Sequence, residues 1–156
     1  MARQVLTSSA LAPGNSDTLH ELLESRRPQE APAALPDYIR AYCPPAPVDI
    51  KFKLFVHVLK SAPRGSAAGP GDTTNELLKI ALDDEDTAAL MHKAVLQLAR
   101  AAVPASISEA YVSARMTALK KPNGRVRGIA TGTAFRRLVA SCLARVVGKE
   151  VELDSC

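Results

Sequence analysis

The chain has 156 residues, of which 47% are hydrophobic and only 4% aromatic, with no Trp, so any core is built mainly from Ala, Leu and Val. That length suits one domain with tails, or a piece of something larger. The net charge is +4, and three scattered cysteines without a Cys-x-x-Cys pair exclude a disulfide framework and disfavour a structural zinc site.

The first 48 residues read as a flexible tail, a short helix and a Pro-rich linker. The opening "MARQVLTSSALAPG" lacks the apolar run of a signal peptide. Nothing in the chain approaches a membrane span, so a soluble intracellular protein is expected, with nucleus and cytoplasm not distinguished. A helix is predicted from Ser16, as N-cap, through "DTLHELLESRR", with Leu19, Leu22 and Leu23 on one face. Six prolines between Pro28 and Pro47 then forbid a continuous helix or a central strand. Within them "DYIRAYC" can form one helical turn docked through Tyr38, Ile39 and Tyr42.

The segment "VDIKFKLFVHVLKSAP" fits two periods. Phe52, Leu54, Val56 and Val58 alternate as in a strand, whereas Ile50, Leu54, Phe55, Val58 and Leu59 fit one helix face with Asp49 as N-cap. "SAPRGSAAGPGD" is a loop by composition. Thr73 and Glu76 make a capping box for "NELLKIAL". The acidic run Asp83 to Asp86 reads as a cap, through Asp86, for the helix "TAALMHKAVLQLARAAV" rather than as a metal site, because consecutive acids between helices complement the helix dipole. Ser106 and Glu109 form a further capping box. None of the three histidines stands at a catalytic spacing, and His92 is expected at the surface.

Strands are predicted near Met116–Lys121 and Arg125–Thr131, joined at Pro122–Gly124. Gly132 and Thr133 end the second strand and cap a last helix. There Phe135, Leu138, Val139, Cys142, Leu143, Val146 and Val147 make one apolar stripe, to about Gly148. An unpartnered stripe of this kind would favour self-association. Charge is concentrated here: Arg115, Lys120, Lys121, Arg125, Arg127, Arg136, Arg137, Arg145 and Lys149 stand in one stretch without Asp or Glu. Alternate strand residues share a face, so Arg125 and Arg127 project together and Lys121 joins them across the turn. Clustered cations repel unless an anion sits among them, and phosphate suits Arg. A solvated hairpin edge guarded by charge is the competing reading. Arg136 and Arg137 oppose the dipole of the helix they open, which fits either an anion site or a pairing with the 83–86 acids.

Taken in order, these parts resemble the N-terminal fingers portion of a reverse transcriptase, an RNA-directed DNA polymerase, in the style of non-LTR retrotransposons. Pro63, Gly65, Gly69 and Pro70 match that family's Pro-x-Gly-x-x-x-Gly-Pro loop. Leu119, Lys121, Pro122 and Gly124 match its Leu-x-Lys-Pro-x-Gly hairpin, and Arg136, Arg137 and Leu138 match its Arg-Arg-Leu helix start. The likeness runs from about Lys60 to Val147. Two departures stand out: Arg127-Gly128-Ile129 replaces Arg-Pro-Ile, which would loosen the strand, and Gly69-Pro70-Gly71-Asp72 alters the usual loop ending.

The resemblance implies an α+β fold, mostly helical with one small antiparallel β-hairpin, over residues 49–150, followed by a tail at 151–156. It favours a helix at 50–60. It implies Lys121 and Arg127 at an incoming nucleoside triphosphate, with Lys120, Arg125, Arg136 and Arg137 contacting template or supporting the hairpin. The family's catalytic aspartates and their Mg2+ belong to a palm that follows the fingers. No Tyr-x-Asp-Asp occurs here, so no catalytic residue, metal site or cofactor is expected in this chain, and no polymerase activity from it alone. The expected partners are RNA or DNA, bound weakly and in a salt-sensitive way. A non-catalytic nucleic-acid-binding module and a helical protein-interaction domain remain open beside this reading.

Overall fold

Helices form wherever the apolar residues recur at three and four, and one β-ribbon forms where Pro-Asn-Gly breaks that period. The computed structural model describes residues 10–24, 36–41 and 46–154. More than half of the described residues are helical and the sheet has two antiparallel strands, the α+β class that the sequence leads one to expect. In chain order the elements are α1 (Ser16–Glu24), α2 (Asp37–Arg40), α3 (Phe52–Ser61), α4 (Asn75–Ile80), α5 (Glu85–Ala99), α6 (Ala105–Val112), β1 (Ala114–Lys120), β2 (Val126–Gly132) and α7 (Ala134–Asp154). They divide into two compact units, one drawn from Met1–Pro47 and Met116–Ala130, the other from Val48–Arg115 and Thr131–Cys156.

In the first unit the hairpin carries the structure. Ala12 N–H donates to Ala118 O at 3.0 Å and Lys120 N–H to Ala10 O at 2.8 Å, so residues 10–12 bridge antiparallel to β1 through Leu11 and Leu119. Residues 10–12, which the sequence places in a loose tail, are therefore ordered. α1 is capped by Asn15, whose Oδ1 accepts from Thr18 N–H at 3.0 Å, one residue before the predicted Ser16. Its buried face also differs. Thr18 is buried and Leu22 half-buried, while Leu19 and Leu23 are more than half exposed. Glu21 Oε1 accepts from Val126 N–H at 2.6 Å, tying α1 to β2. Leu22 and Met116 both reach over Gly128, where a β-carbon would lie about 3.1 and 3.0 Å from them. Glycine at 128 thus makes room for these two side chains, and β2 runs unbroken through it. In α2, Tyr38 is 76% exposed and does not dock. Most of the Pro-rich linker, with Tyr42, lies outside the described residues.

The second unit holds the main core. Ile50, Phe55, Leu59, Val95 and Cys142 have no exposed surface. They come from α3, α5, α7 and, for Ile50, the position two residues before α3, and these helices pack on one another with α4. The stripe of α3 is the helical one of the two read from sequence. Its N-cap is Lys51, not Asp49, and no side chain caps it. Asp49 instead pairs with Lys51 at 2.8 Å, and that lysine holds its carboxyl below the ordinary range. The other caps also shift. Thr74 Oγ1 accepts from Leu77 N–H, while Asp84 accepts from Thr87 N–H at 2.7 Å and from its hydroxyl at 2.6 Å. Those bonds hold the Asp84 carboxyl below its usual value. Pro104, not Ser106, precedes α6. Thr133 caps α7, as its sequence predicts, through a 3.3 Å bond from Arg136 N–H. α7 then continues through Asp154, six residues past Gly148 and into the expected tail.

His92 is a further correction. Its Nε2 lies 2.6 Å from Ile50 O, a pure acceptor, so that nitrogen carries a proton. The ring packs edge-on against Phe52 at 5.3 Å and tilted against Phe55 at 5.4 Å. With Arg100 Nε donating to Val48 O at 2.8 Å, it fastens residues 48–50 to α5. The α7 stripe is likewise used internally: Leu138, Val139 and Cys142 are buried, Phe135, Leu143 and Val146 pack beside them, and Val147 is half exposed. Burial pushes the Cys142 thiol up, against a smaller opposing effect of Arg145. Native Cys142 should therefore alkylate at least about a hundredfold more slowly than in denaturant, read by peptide mass spectrometry. Equal rates would mean that α7 does not pack as described.

The Gly-Pro loop between α3 and α4 is built on its glycines. Gly65 has φ +65° and donates its N–H to Glu76 Oε1 at 2.7 Å, which lowers the Glu76 pKa. Glu76 therefore serves the loop rather than the predicted capping box. Gly71 and Asp72 follow with φ +80° and +53°, in a turn closed by Asp72 N–H on Gly69 O at 3.2 Å. Asp tolerates that left-handed conformation better than most residues. Asn75, itself buried, donates to Pro63 O and to Ser66 Oγ, each at 2.9 Å. At Gly69 a β-carbon would overlap the Gly132 carbonyl and crowd Thr133 N. Gly69→Ala should cost about 1–3 kcal/mol, because both neighbours are backbone and cannot swing aside. An unchanged denaturation midpoint would show that this close approach is not maintained.

Candidate nucleic-acid interface

The hairpin turn is made by its own sequence. Pro122 presets φ, Gly124 takes φ +80°, and Gly124 N–H closes the turn on Lys121 O at 2.9 Å. Lys121 N–H then donates to Arg125 O at 2.7 Å, and Asn123 Oδ1 accepts from Arg125 N–H at 3.2 Å. This is a three-residue loop with a glycine bulge. It sets Lys121 opposite Arg125. Strand alternation puts Arg125 and Arg127 on one face, with buried Val126 turned to the other.

Lys120, Lys121, Arg125 and Arg127 are all exposed, and none of them makes an ion pair with a described residue. Arg115 does, with Asp72 at 2.8 Å. The four cations thus lie on one short ribbon in the first unit, two of them, Lys121 and Arg125, at the residues that close the turn. Among the described residues no carboxylate balances these four charges.

Arg136 and Arg137 belong to the second unit, at the opening of α7, and the two differ. Arg136 Nη1 donates to Tyr111 O at 3.1 Å and Val112 O at 3.4 Å. It caps the C-terminal carbonyls of α6, where a cation is favoured. Neither a pairing with the 83–86 acids nor a free anion site describes it, and the carbonyl partners are invisible in sequence because they lie 24 and 25 residues away. Arg137 is half-buried and lines a cavity of about 290 Å³ with Asn75, Ser66, Ser141 and Arg145. Its Nη2 is buried and has no acceptor among the described residues. This cavity was not foreseen from sequence; the i, i+4, i+8 spacing of Arg137, Ser141 and Arg145 on α7 is the signal that could have pointed to it.

Among the described residues no three His, Cys, Asp or Glu side chains converge as a metal-binding group, and no helix is long and apolar enough to cross a membrane. No family model, curated protein or solved structure matches the chain.

Proposed function

We propose that the chain binds nucleic-acid phosphates through the β1–β2 hairpin, as the fingers portion of a reverse-transcriptase-like polymerase. The observation that carries this reading is the exposed set Lys120, Lys121, Arg125 and Arg127, without an ion pair among the described residues, on a turn that Pro122 and Gly124 shape. A basic ribbon of fixed shape holds its cations at defined spacing, so less side-chain and backbone freedom is lost on binding. The Gly-Pro loop adds support to the family resemblance, since Gly65 and Gly69 each meet a backbone demand that only glycine satisfies easily. In this reading Lys121 and Arg127 meet the phosphates of an incoming nucleotide or of the strand end. Lys120 and Arg125 meet template phosphates, Arg136 holds α6 to α7, and Mg2+ chemistry belongs to a palm.

The test is fluorescence polarisation with single-stranded RNA, single-stranded DNA and an RNA–DNA hybrid at 0.1 M salt. Lys121→Ala with Arg127→Ala should weaken binding roughly tenfold or more on all three, since two phosphate contacts are removed without regard to sequence. Far-UV circular dichroism should not change, because both side chains are exposed. A double variant that binds like the parent chain would sink the reading.

A further inference from the structure

The cavity beside Arg137 belongs to the second unit and stands independently of the hairpin. We propose that it is a binding site for a phosphate group, held by Arg137 and Arg145 with hydroxyl donors from Ser66 and Ser141. The cavity lies among the end of α3, residues 62–66, Asn75 and α7. Two arginines line it and, among the described residues, no carboxylate does. A guanidinium carries five N–H donors and keeps its charge at every accessible pH. Buried donors in folded proteins are almost always satisfied, yet Arg137 Nη2 has no acceptor among the described residues. An acceptor from outside the described residues would meet that donor, and a net positive wall selects an anion.

The remaining donors suit an oxyanion. Asn75 Nδ2 already serves Pro63 O and Ser66 Oγ, so Ser66 accepts there and its hydroxyl proton is left to donate. Arg137, Ser141 and Arg145 follow one another on a single face of α7, one turn apart, and Arg145 is exposed. A phosphate has enough oxygens to accept from both guanidinium groups and the serines together, which a carboxylate has not. In the occupied state the terminal torsions of Arg137 turn Nη2 towards the anion. At about 290 Å³ the cavity stands at the small end of small-molecule sites, with room for a phosphate and part of a group bearing it. Inorganic phosphate and the terminal phosphate of a nucleotide are the two sources of this chemistry.

Thermal unfolding of the whole chain tests the site, in sodium phosphate, in a nucleoside 5′-monophosphate, and in sodium chloride of matched ionic strength. Phosphate should raise Tm by about 5 °C at tenfold over its dissociation constant, and chloride should not. Arg137→Met should abolish the rise while unfolding no earlier than the parent in phosphate-free buffer, because an unmet buried donor has been removed. Arg145→Gln, at an exposed position, should weaken phosphate binding roughly tenfold and keeps the test decisive if Arg137→Met does not fold. A response to both ligands identifies the phosphate group alone as what is recognised, and a response only to the ester identifies a nucleotide. Equal stabilisation by phosphate, ester and chloride overturns the proposal, as does either arginine variant responding like the parent. Lys121→Ala with Arg127→Ala should keep the full phosphate response, so this site and the hairpin interface fail separately.

Discussion

Phe55→Ala should destabilise the second unit by about 3–5 kcal/mol, a large share of the total stability of a domain this size. Phe55 has no exposed surface and sits where the faces of α3, α5 and α7 meet. Its ring touches Phe52 at 5.8 Å between centroids and His92 at 5.4 Å. Truncation removes the ring and leaves a hole that a Leu- and Val-rich wall fills only in part. The chain has three phenylalanines, so few other aromatic side chains compensate. His92 also loses a packing partner while it must keep its 2.6 Å bond to Ile50 O. Phe55→Leu retains most of the volume and should cost less than about 1.5 kcal/mol. Chemical denaturation followed by circular dichroism reads both. A loss below about 1 kcal/mol for the alanine variant would place Phe55 outside the core.

Where sequence and structure agree, the deciding physics is local. The hairpin is legible because Pro122, Asn123 and Gly124 dictate their own turn, and the last helix because its stripe, Phe135 to Val147, spans between three and four turns. The helical period at 52–61 agrees as well, although the residues alone also allowed a strand. What decides it is burial: Phe55, Val58 and Leu59, spaced at three and four, all reach one core. Cap positions moved by one or two residues at Asn15, Thr74 and Asp84, because each stands beside other side chains able to cap. Choosing among them depends on where the helix axis must point to bury its stripe. The contacts that could not be read are those between residues far apart in sequence. Residues 10–12 are too few to declare a strand and owe their order to β1. Arg136 finds carbonyls of α6, His92 finds Ile50 O across 42 residues, and Arg137 lines a cavity whose other walls come from α3, the Gly-Pro loop and α4. Of the six basic residues singled out, the four on the hairpin stand exposed as expected, whereas the two on α7 are drawn into the second unit by contacts that tertiary structure alone creates.

Binding to single-stranded RNA or DNA should fall steeply with salt, and the slope should report how many hairpin cations meet phosphate. Each contact releases condensed counterions from the strand, contributing about −0.7 to the slope of log affinity against log salt. Roughly three to five contacts are within reach of Lys120, Lys121, Arg125, Arg127 and a neighbouring cation, giving a slope of about −2 to −3.5. Affinity should then drop about 20- to 130-fold between 50 and 200 mM salt. Removing Lys121 and Arg127 should make the slope shallower by about 1.4, whatever the base sequence, since phosphate contacts carry no sequence information. The size of that change separates two roles that a single affinity cannot. If the two side chains only stiffened the turn, affinity would fall with the slope unchanged, because the remaining contacts would release the same number of ions. A binding isotherm indifferent to salt would exclude phosphate recognition by the hairpin altogether and turn attention to the helical faces as protein-binding surfaces.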